Sequence, residues 1–236
     1  SFSDTELREV LSELYVDDTV DIIEEMPATV VKRILSQADP ETRRSINEIL
    51  QYPEDSAGSV MTTEFVDLKQ DMTVKDAIAR IRKIGVDKET INICYVTDNR
   101  RHLLGIVSIR TLLLAEWEQL VGDIMETNYI SVTTTDDKEE VAQALSHYDF
   151  LAMPVVDKEC RLVGIITIDD AMDVIEEAVT EDIELMAAMM PTDKPYLRTT
   201  VWETVKSRIP WLMLLMLSAT FTGIVITGFE SSLATC

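Results

Sequence analysis

The sequence predicts an α+β multidomain chain: an N-terminal superhelix of short α-helices, a tandem pair of β-α-β-β-α units, then a long connecting helix leading to a transmembrane helix. Three observations predict it. Prolines 27, 40 and 53 recur every 13 residues, a longer pattern repeats within 61–190, and residues 211–229 form a 19-residue run without a charge.

The proline period delimits the first element. DDTVDIIEEM, ATVVKRILSQAD and ETRRSINEIL are short amphipathic stretches, and in the second Val30, Val31, Ile34 and Leu35 share one helical face. Each proline ends or begins a helix. No such helix can bury its apolar face alone, so stacking into a small superhelix over residues 1–57 is expected.

The second element is the repeat. One copy opens at Met61-Thr62, runs through FVDL, VKDAIARIRKI and INICYVTD, and ends LLGIVSIRTLL. The other opens at Met125-Glu126, runs through YISV, EEVAQALSHYD and AMPVVD, and ends LVGIITIDDAM. The opening methionines lie 64 residues apart and Gly105 and Gly164 lie 59 apart, because the first copy carries extra residues around 85–91. Near-continuous apolar runs such as INICYV and LVGIIT are expected as strands covered by helices. The copies are placed at 58–122 and 123–175, followed by a connecting helix over 176–200.

The last element, 201–236, holds the uncharged run, long enough to span a bilayer as a helix. Arg198, Lys206 and Arg208 precede it and Glu230 follows, so residues 1 to about 205 are expected to be cytoplasmic. The alternative is a core helix of a soluble protein, but its Ser, Thr and Gly content suits helix packing in a membrane bundle. The chain starts with Ser and stops seven residues after the run, which reads as a piece of a longer, multi-pass protein of the cell membrane with the first membrane helix truncated.

Composition narrows the chemistry. The 236 residues hold 43 acids and 21 bases, a net charge of −22, which repels nucleic acid. Three Cys and two His argue against a disulfide framework or a Cys/His zinc site. Cys94 is expected to pack in a strand and Cys160 to sit at a turn. Gly223 and Gly228 are followed by Phe-Glu, so there is no P-loop. His102 and His147 lack a nucleophile constellation, and an enzyme is not expected. The charge is uneven: residues 1–60 carry −9, 61–125 carry −1, 126–190 carry −13 and 191–236 carry +1. Two acidic blocks that fold together repel one another unless cations lie between them; the bland alternative is a pair of solvated faces.

Within the second block, Asp170, Asp173, Glu177, Glu181 and Glu184 form one helical stripe, and no Lys or Arg occurs from 162 to 193. Ile175, Val179, Ile183 and Met186 form an apolar face expected to pack. Asp136, Asp137, Glu139 and Glu140 open a helix, where acids, Asp136 above all, have a capping explanation. Asp149 follows that helix, where no dipole rewards it. Glu54 and Asp55 sit at the junction of the helical region and the repeat. These groups offer oxygen only, the donor set of Mg²⁺ or Ca²⁺, and no EF-hand loop is present.

The tandem copies resemble a pair of CBS domains. The helical segment before them, the Y-P-E-D-S-A-G-S-V-M-T junction at 52–62, and T-E-D-I-E-L followed by a membrane helix resemble the MgtE magnesium channel family over essentially the whole chain. The resemblance implies a homodimer, joined through the CBS domains and the membrane part, whose cytosolic region senses Mg²⁺. Bound ions bridge the helical domain, the CBS domains and the connecting or plug helix, and favour the closed state. It implies Asp55, Asp137, Glu139, Asp149, Asp170, Asp173, Glu181 and Asp182 as metal ligands, with an acid from Asp21, Glu24 or Glu25. Some such pairs bind ATP through a Gly, Ser/Thr, Asp pattern, here Gly164, Thr167 and Asp170; the first copy reads Gly105, Ser108, Thr111 and lacks the Asp. The rival reading is a nucleotide-sensing CBS module on another membrane transporter.

Overall fold

The computed structural model describes residues 14–24, 26–187, 189 and 200–233. The chain divides into two compact units, 1–175 and 176–236.

The first unit begins with α1 (Val16–Glu24), α2 (Ala28–Gln37) and α3 (Pro40–Ile49), the helices expected from the proline period. Pro27 precedes α2. Asp39 caps α3, its carboxylate accepting from the Thr42 amide at 3.1 Å and hydroxyl at 2.6 Å, with Pro40 at the first helical position, where its missing N–H costs nothing. Val16, Val20, Ile23, Ile34, Ile46 and Ile49 close one small core, with Val31 and Leu35 packed against it. Val30, read as part of the same face, is exposed.

The repeat has the expected element order. In the first copy β1 (Asp67–Lys69) leads to α4 (Val74–Ile84), a 3₁₀ turn (Gly85–Asp87), β2 (Ile93–Thr97), β3 (Leu103–Ser108) and α5 (Ile109–Leu114). After a short α6 (Val121–Ile124), the second copy runs through β4 (Val132–Thr133), α7 (Lys138–His147), β5 (Ala152–Val156), β6 (Leu162–Thr167) and α8 (Ile168–Met186). Each copy builds a three-stranded sheet in sequence order, its first pair parallel and its second antiparallel. Thr73 caps α4 and Ser108 caps α5. Cys94 is buried in β2, where burial pushes its thiol up to about 12; Cys160 is exposed in a turn with φ 59°.

The copies are crossed, which the repeat alone does not reveal. The opening segment of the first copy pairs with the last strand of the second: Thr62 and Ile165 exchange backbone bonds of 2.8 and 2.9 Å. The opening segment of the second pairs with the last strand of the first, through Ile106 and Glu126 at 3.0 and 2.8 Å. Met61 accordingly packs in the second copy's core, with Val141, Leu145, Met153 and Ile166. A shared core of Tyr95, Leu103, Ala152, Val156, Leu162 and Ile165 joins the two sheets.

In the second unit, α8 continues to Met186, and α9 (Val201–Leu233) contains Thr204–Phe229, long and apolar enough to cross a membrane and with none of its most apolar stretch buried. A core helix would be buried, so that alternative is not met. The expected packing of the apolar face of α8 holds at Ile175, partly buried against the second CBS core, and is corrected beyond it: Val179, Ile183 and Met186 are 51%, 60% and 88% exposed. Ala171 and Val174 are buried in the first two turns, where the helix lies on the second CBS core, and Glu184 is buried near its end.

The crossing makes a direct prediction. A Cβ on Gly164 would stand 2.7 Å from Met61 Sδ and 2.8 Å from the Thr62 carbonyl, whereas one on Gly223 would meet nothing within 4 Å. Gly164→Ala should therefore lower the unfolding free energy by about 1–3 kcal/mol, whereas Gly223→Ala, inside a helix with open space around it, should not lower it, as read from thermal melts in detergent.

Candidate functional site

The crossing carries acids from three parts of the first unit toward one place. Glu64 lies two residues beyond Thr62. Asp169 and Asp170 lie at the start of α8, just beyond β6. Glu89 follows the 3₁₀ turn, in the segment by which the first copy exceeds the second, and its amide donates to the Glu64 carbonyl at 2.9 Å. Asp18 comes from α1. Oε2 of Glu89 is buried without a hydrogen-bond partner. Its carboxyl is pushed up to about 7, first by burial and then by the negative charges of Asp170, Asp169, Asp18 and Glu64. Asp170 is also raised, mainly by burial, although the Thr167 hydroxyl donates to it. Glu64 is raised mainly by burial and accepts from the Val16 amide at 3.3 Å. Each shift has the same leading source: a carboxylate loses water and gains like-charged neighbours, which for Glu64 the nearby Lys88 ammonium offsets only in part.

Asp18, Glu64 and Glu89 are absent from the residues expected to act. Asp18 sits within an amphipathic helix full of acids. Glu64 and Glu89 lie in irregular segments, where no periodicity marks a face. The one usable signal is the extra length around 85–91, an insertion carrying an acid within an otherwise matched repeat.

The other expected residues are spread over several elements. Asp55 and Asp137 are brought together through the backbone: Ser56 and Asp137 form a bridge, and the Lys138 amide donates to the Asp55 carbonyl at 3.1 Å. The Asp55 side chain is 87% exposed and lies 3.9 Å from Lys138 Nζ. Capping falls one residue later than expected. Asp137 caps α7, its Oδ1 accepting from the Glu139 and Glu140 amides at 2.9 and 3.2 Å. Asp136 closes the preceding turn, accepting from the amide and hydroxyl of Thr133. Glu139 is exposed on the first turn of α7.

Asp149 has a backbone role that the sequence reading lacked. It takes φ 55° just after α7, and the Phe150 amide returns to the Leu145 carbonyl at 3.1 Å. This is the left-handed helix stop usually given to Gly or Asn. Asp173 is exposed one turn beyond Asp170, and Glu181 and Asp182 are exposed further along the same helix. Glu184, the last member of the stripe, is buried. Asp21 and Glu24 lie on α1, and Glu25 lies outside the described residues. Among the described residues, no three His, Cys, Asp or Glu side chains converge closely enough to hold a metal on their own.

The nucleotide pattern has a packing explanation at its first position. Gly164 admits Met61 and Thr62, and Gly105 likewise admits Met125 and the Glu126 carbonyl, at 2.8 Å from a would-be Cβ. Thr167 is buried and directs its hydroxyl at Asp170, so Asp170 belongs to both the nucleotide and the metal readings. In the first copy Ser108 and Thr111 bond to each other at 2.9 Å.

Comparison with known proteins matches this architecture part by part. The MgtE intracellular N domain family matches residues 1–55, and the CBS domain family matches 57–118 and 121–177. The magnesium transporter MgtE of Thermus thermophilus is 39% identical over 222 residues, covering 92% of this chain and 49% of the relative. That of Bacillus subtilis is 36% identical over 217 residues, covering 92% and 48%. The chain thus spans about half the length of these curated relatives. The crystal structure of the cytosolic domain of the Mg²⁺ channel MgtE in complex with ATP superposes with a TM-score of 0.70 at 40% identity, over 73% of this chain and 71% of that one. The soluble part of a magnesium transporter gives 0.72 at 37%, over 75% and 69%. Helical region, crossed CBS pair and apolar C-terminal helix therefore stand in the order of a known cytosolic domain and the start of its membrane part, and the chain belongs to the MgtE family of magnesium transporters.

Proposed function

We propose that the first unit and the connecting helix form the Mg²⁺-sensing regulatory region of a homodimeric magnesium channel. The observation that carries this reading is the buried, unpartnered carboxylate oxygen of Glu89, faced by Asp18, Asp169, Asp170 and Glu64. These groups come from the helical region and from both CBS copies. A divalent cation among them would replace mutual repulsion by attraction to a shared ion. Mg²⁺ suits the arrangement because it keeps most of its waters and takes one or two carboxylates directly. Scattered acids with no tight three-ligand cage are what such an ion can bridge.

Asp55, Asp137, Glu139 and Asp149 on the CBS side, and Asp173, Glu181 and Asp182 along α8, are further positions for bridging ions. At low Mg²⁺ the acidic blocks repel and the closed state loses population; at high Mg²⁺ bridging restores it, and several ions acting together make the response steep. A second copy is the natural occupant of the exposed apolar side chains Leu113, Leu114 and Trp117. The membrane helix would then continue into the pore-forming part.

ATP is a second ligand of the same region, supported by the ATP complex of the 40% identical relative and by Thr167 and Asp170 standing together at the end of β6. Gly164 and Thr167 are the positions assigned to it. Sharing of Asp170 means that nucleotide and cation occupancy influence each other.

Titrating the chain in detergent with Mg²⁺ against Na⁺ at constant ionic strength tests the reading. Mg²⁺ should raise the melting temperature, by the equivalent of about 2.7 kcal/mol at a hundredfold excess over Kd, and Asp170→Asn with Asp173→Asn should abolish most of the gain. An identical melt at millimolar Mg²⁺ and in Na⁺ would leave the acids as a solvated face.

Glu89 adds a pH dependence in divalent-free buffer. Between its ordinary value of 4.5 and about 7, the folded chain keeps a proton that the unfolded chain has released, so stability falls as pH rises through that window and then levels. Calorimetry should show this fall between pH 5 and pH 8, and Glu89→Gln should flatten it.

A further inference from the structure

Helix α1 takes an acceptor for its first amide from outside the helical region. Tyr15 precedes it and its carbonyl accepts from the Thr19 amide at 3.1 Å, but a Tyr side chain carries no short oxygen to reach the first amides. That acceptor lies 48 residues away, where Glu64 Oε2 takes the Val16 amide at 3.3 Å. A carboxylate at a helix N-terminus meets both an unsatisfied donor and the positive end of the helix dipole.

Both ends of this contact are firmly based. Val16 is buried in the core of the helical region with Val20, Ile23, Ile34, Ile46 and Ile49, so a force on its amide acts on all three helices together. Glu64 is held by its amide donating to Thr62 Oγ1 at 3.3 Å and by its carbonyl accepting from Glu89. Thr62 in turn is bonded on both sides to Ile165 of β6. The bond therefore ties the helical region to a point where both CBS copies meet.

We propose that Glu64 is an ion-independent latch that holds the helical region on the CBS pair. The docked arrangement then keeps a residual population without any divalent cation, and Mg²⁺ acts on an equilibrium already biased by this contact. The inference does not need the cation reading, because the bond joins two groups of the chain itself.

Hydrogen exchange of the chain in detergent with EDTA tests it without Mg²⁺. Glu64→Gln keeps the shape and removes the charge. It should speed exchange about tenfold in peptides covering the first turn of α1, and together with it in peptides covering 60–66 and 86–92, which undocking uncovers. Exchange in α2 and α3 should be unchanged, showing that the helical core is intact. Adding Tyr15→Asp, which gives α1 a cap of its own, should restore the first turn of α1 but leave 60–66 and 86–92 fast. If Glu64→Gln loosens only α1, the residue is a helix cap and not a latch; if it loosens nothing, the contact has no energetic role. Either result overturns the proposal, and neither bears on Mg²⁺ binding, which the melting experiment reads separately.

Discussion

The structure depends on the exchange of opening segments between the two CBS copies. Each copy's last strand is completed by the other copy's first residues, through Thr62 with Ile165 and Glu126 with Ile106. Close approach at these crossings leaves no room for a side chain at Gly105 or Gly164, and Tyr95 to Ile165 form a core that belongs to neither copy alone. A single copy would expose that core, so the pair is the folding unit. The acidic site follows from the same exchange: β6 receives Thr62, which brings Glu64 close behind it, and β6 itself ends next to Asp169 and Asp170. Helix α1 then settles on Glu64.

Burial and charge oppose each other at this place. Packing requires the segments around Met61 and Thr62 to be buried, since their apolar neighbours contribute about 1.5–3 kcal/mol per fully buried side chain. That burial strips water from Glu64, Glu89 and Asp170, and raises all three carboxyls above their ordinary range. Thr167 gives Asp170 one donor and Val16 gives Glu64 one, while Glu89 Oε2 receives none. An uncompensated buried charge is resolved by protonation, by movement apart or by a cation. All three are reversible.

What was legible in the sequence is what depends on local periodicity. Proline spacing marked α1 to α3, the internal repeat marked two copies of the same strand and helix order, and the uncharged run marked the membrane-length part of α9. The exchange of opening segments was not legible, because Met61 and Met125 open equivalent stretches and either could pair with either last strand. The cap at Asp137 was misread by one residue, since two adjacent aspartates offer the same chemistry and only the backbone geometry of the turn chooses between them. Asp149 was singled out for lacking a dipole partner; its left-handed φ supplies a backbone reason for a residue there that carries no apolar bulk. Glu64 and Glu89 were missed because their partners are distant in sequence and their own segments have no repeat. The candidate ligands along α8 were readable as a stripe, but their surroundings were not.

That helix carries the argument furthest. Its first two turns are fastened to the second CBS core by Ala171 and Val174, and beyond them Asp173, Glu177 and Glu181 are exposed on one side while Val179, Ile183 and Met186 are exposed on another. A helix that was merely solvated would show charges of both signs and few apolar residues outside its packed stripe. No Lys or Arg occurs from 162 to 193 in the sequence, and Val179, Ile183 and Met186 form an exposed apolar seam. Nineteen residues of continuous helix make a rod of about 28 Å. The carboxylates at its root and the faces along its length therefore belong to one continuous helix.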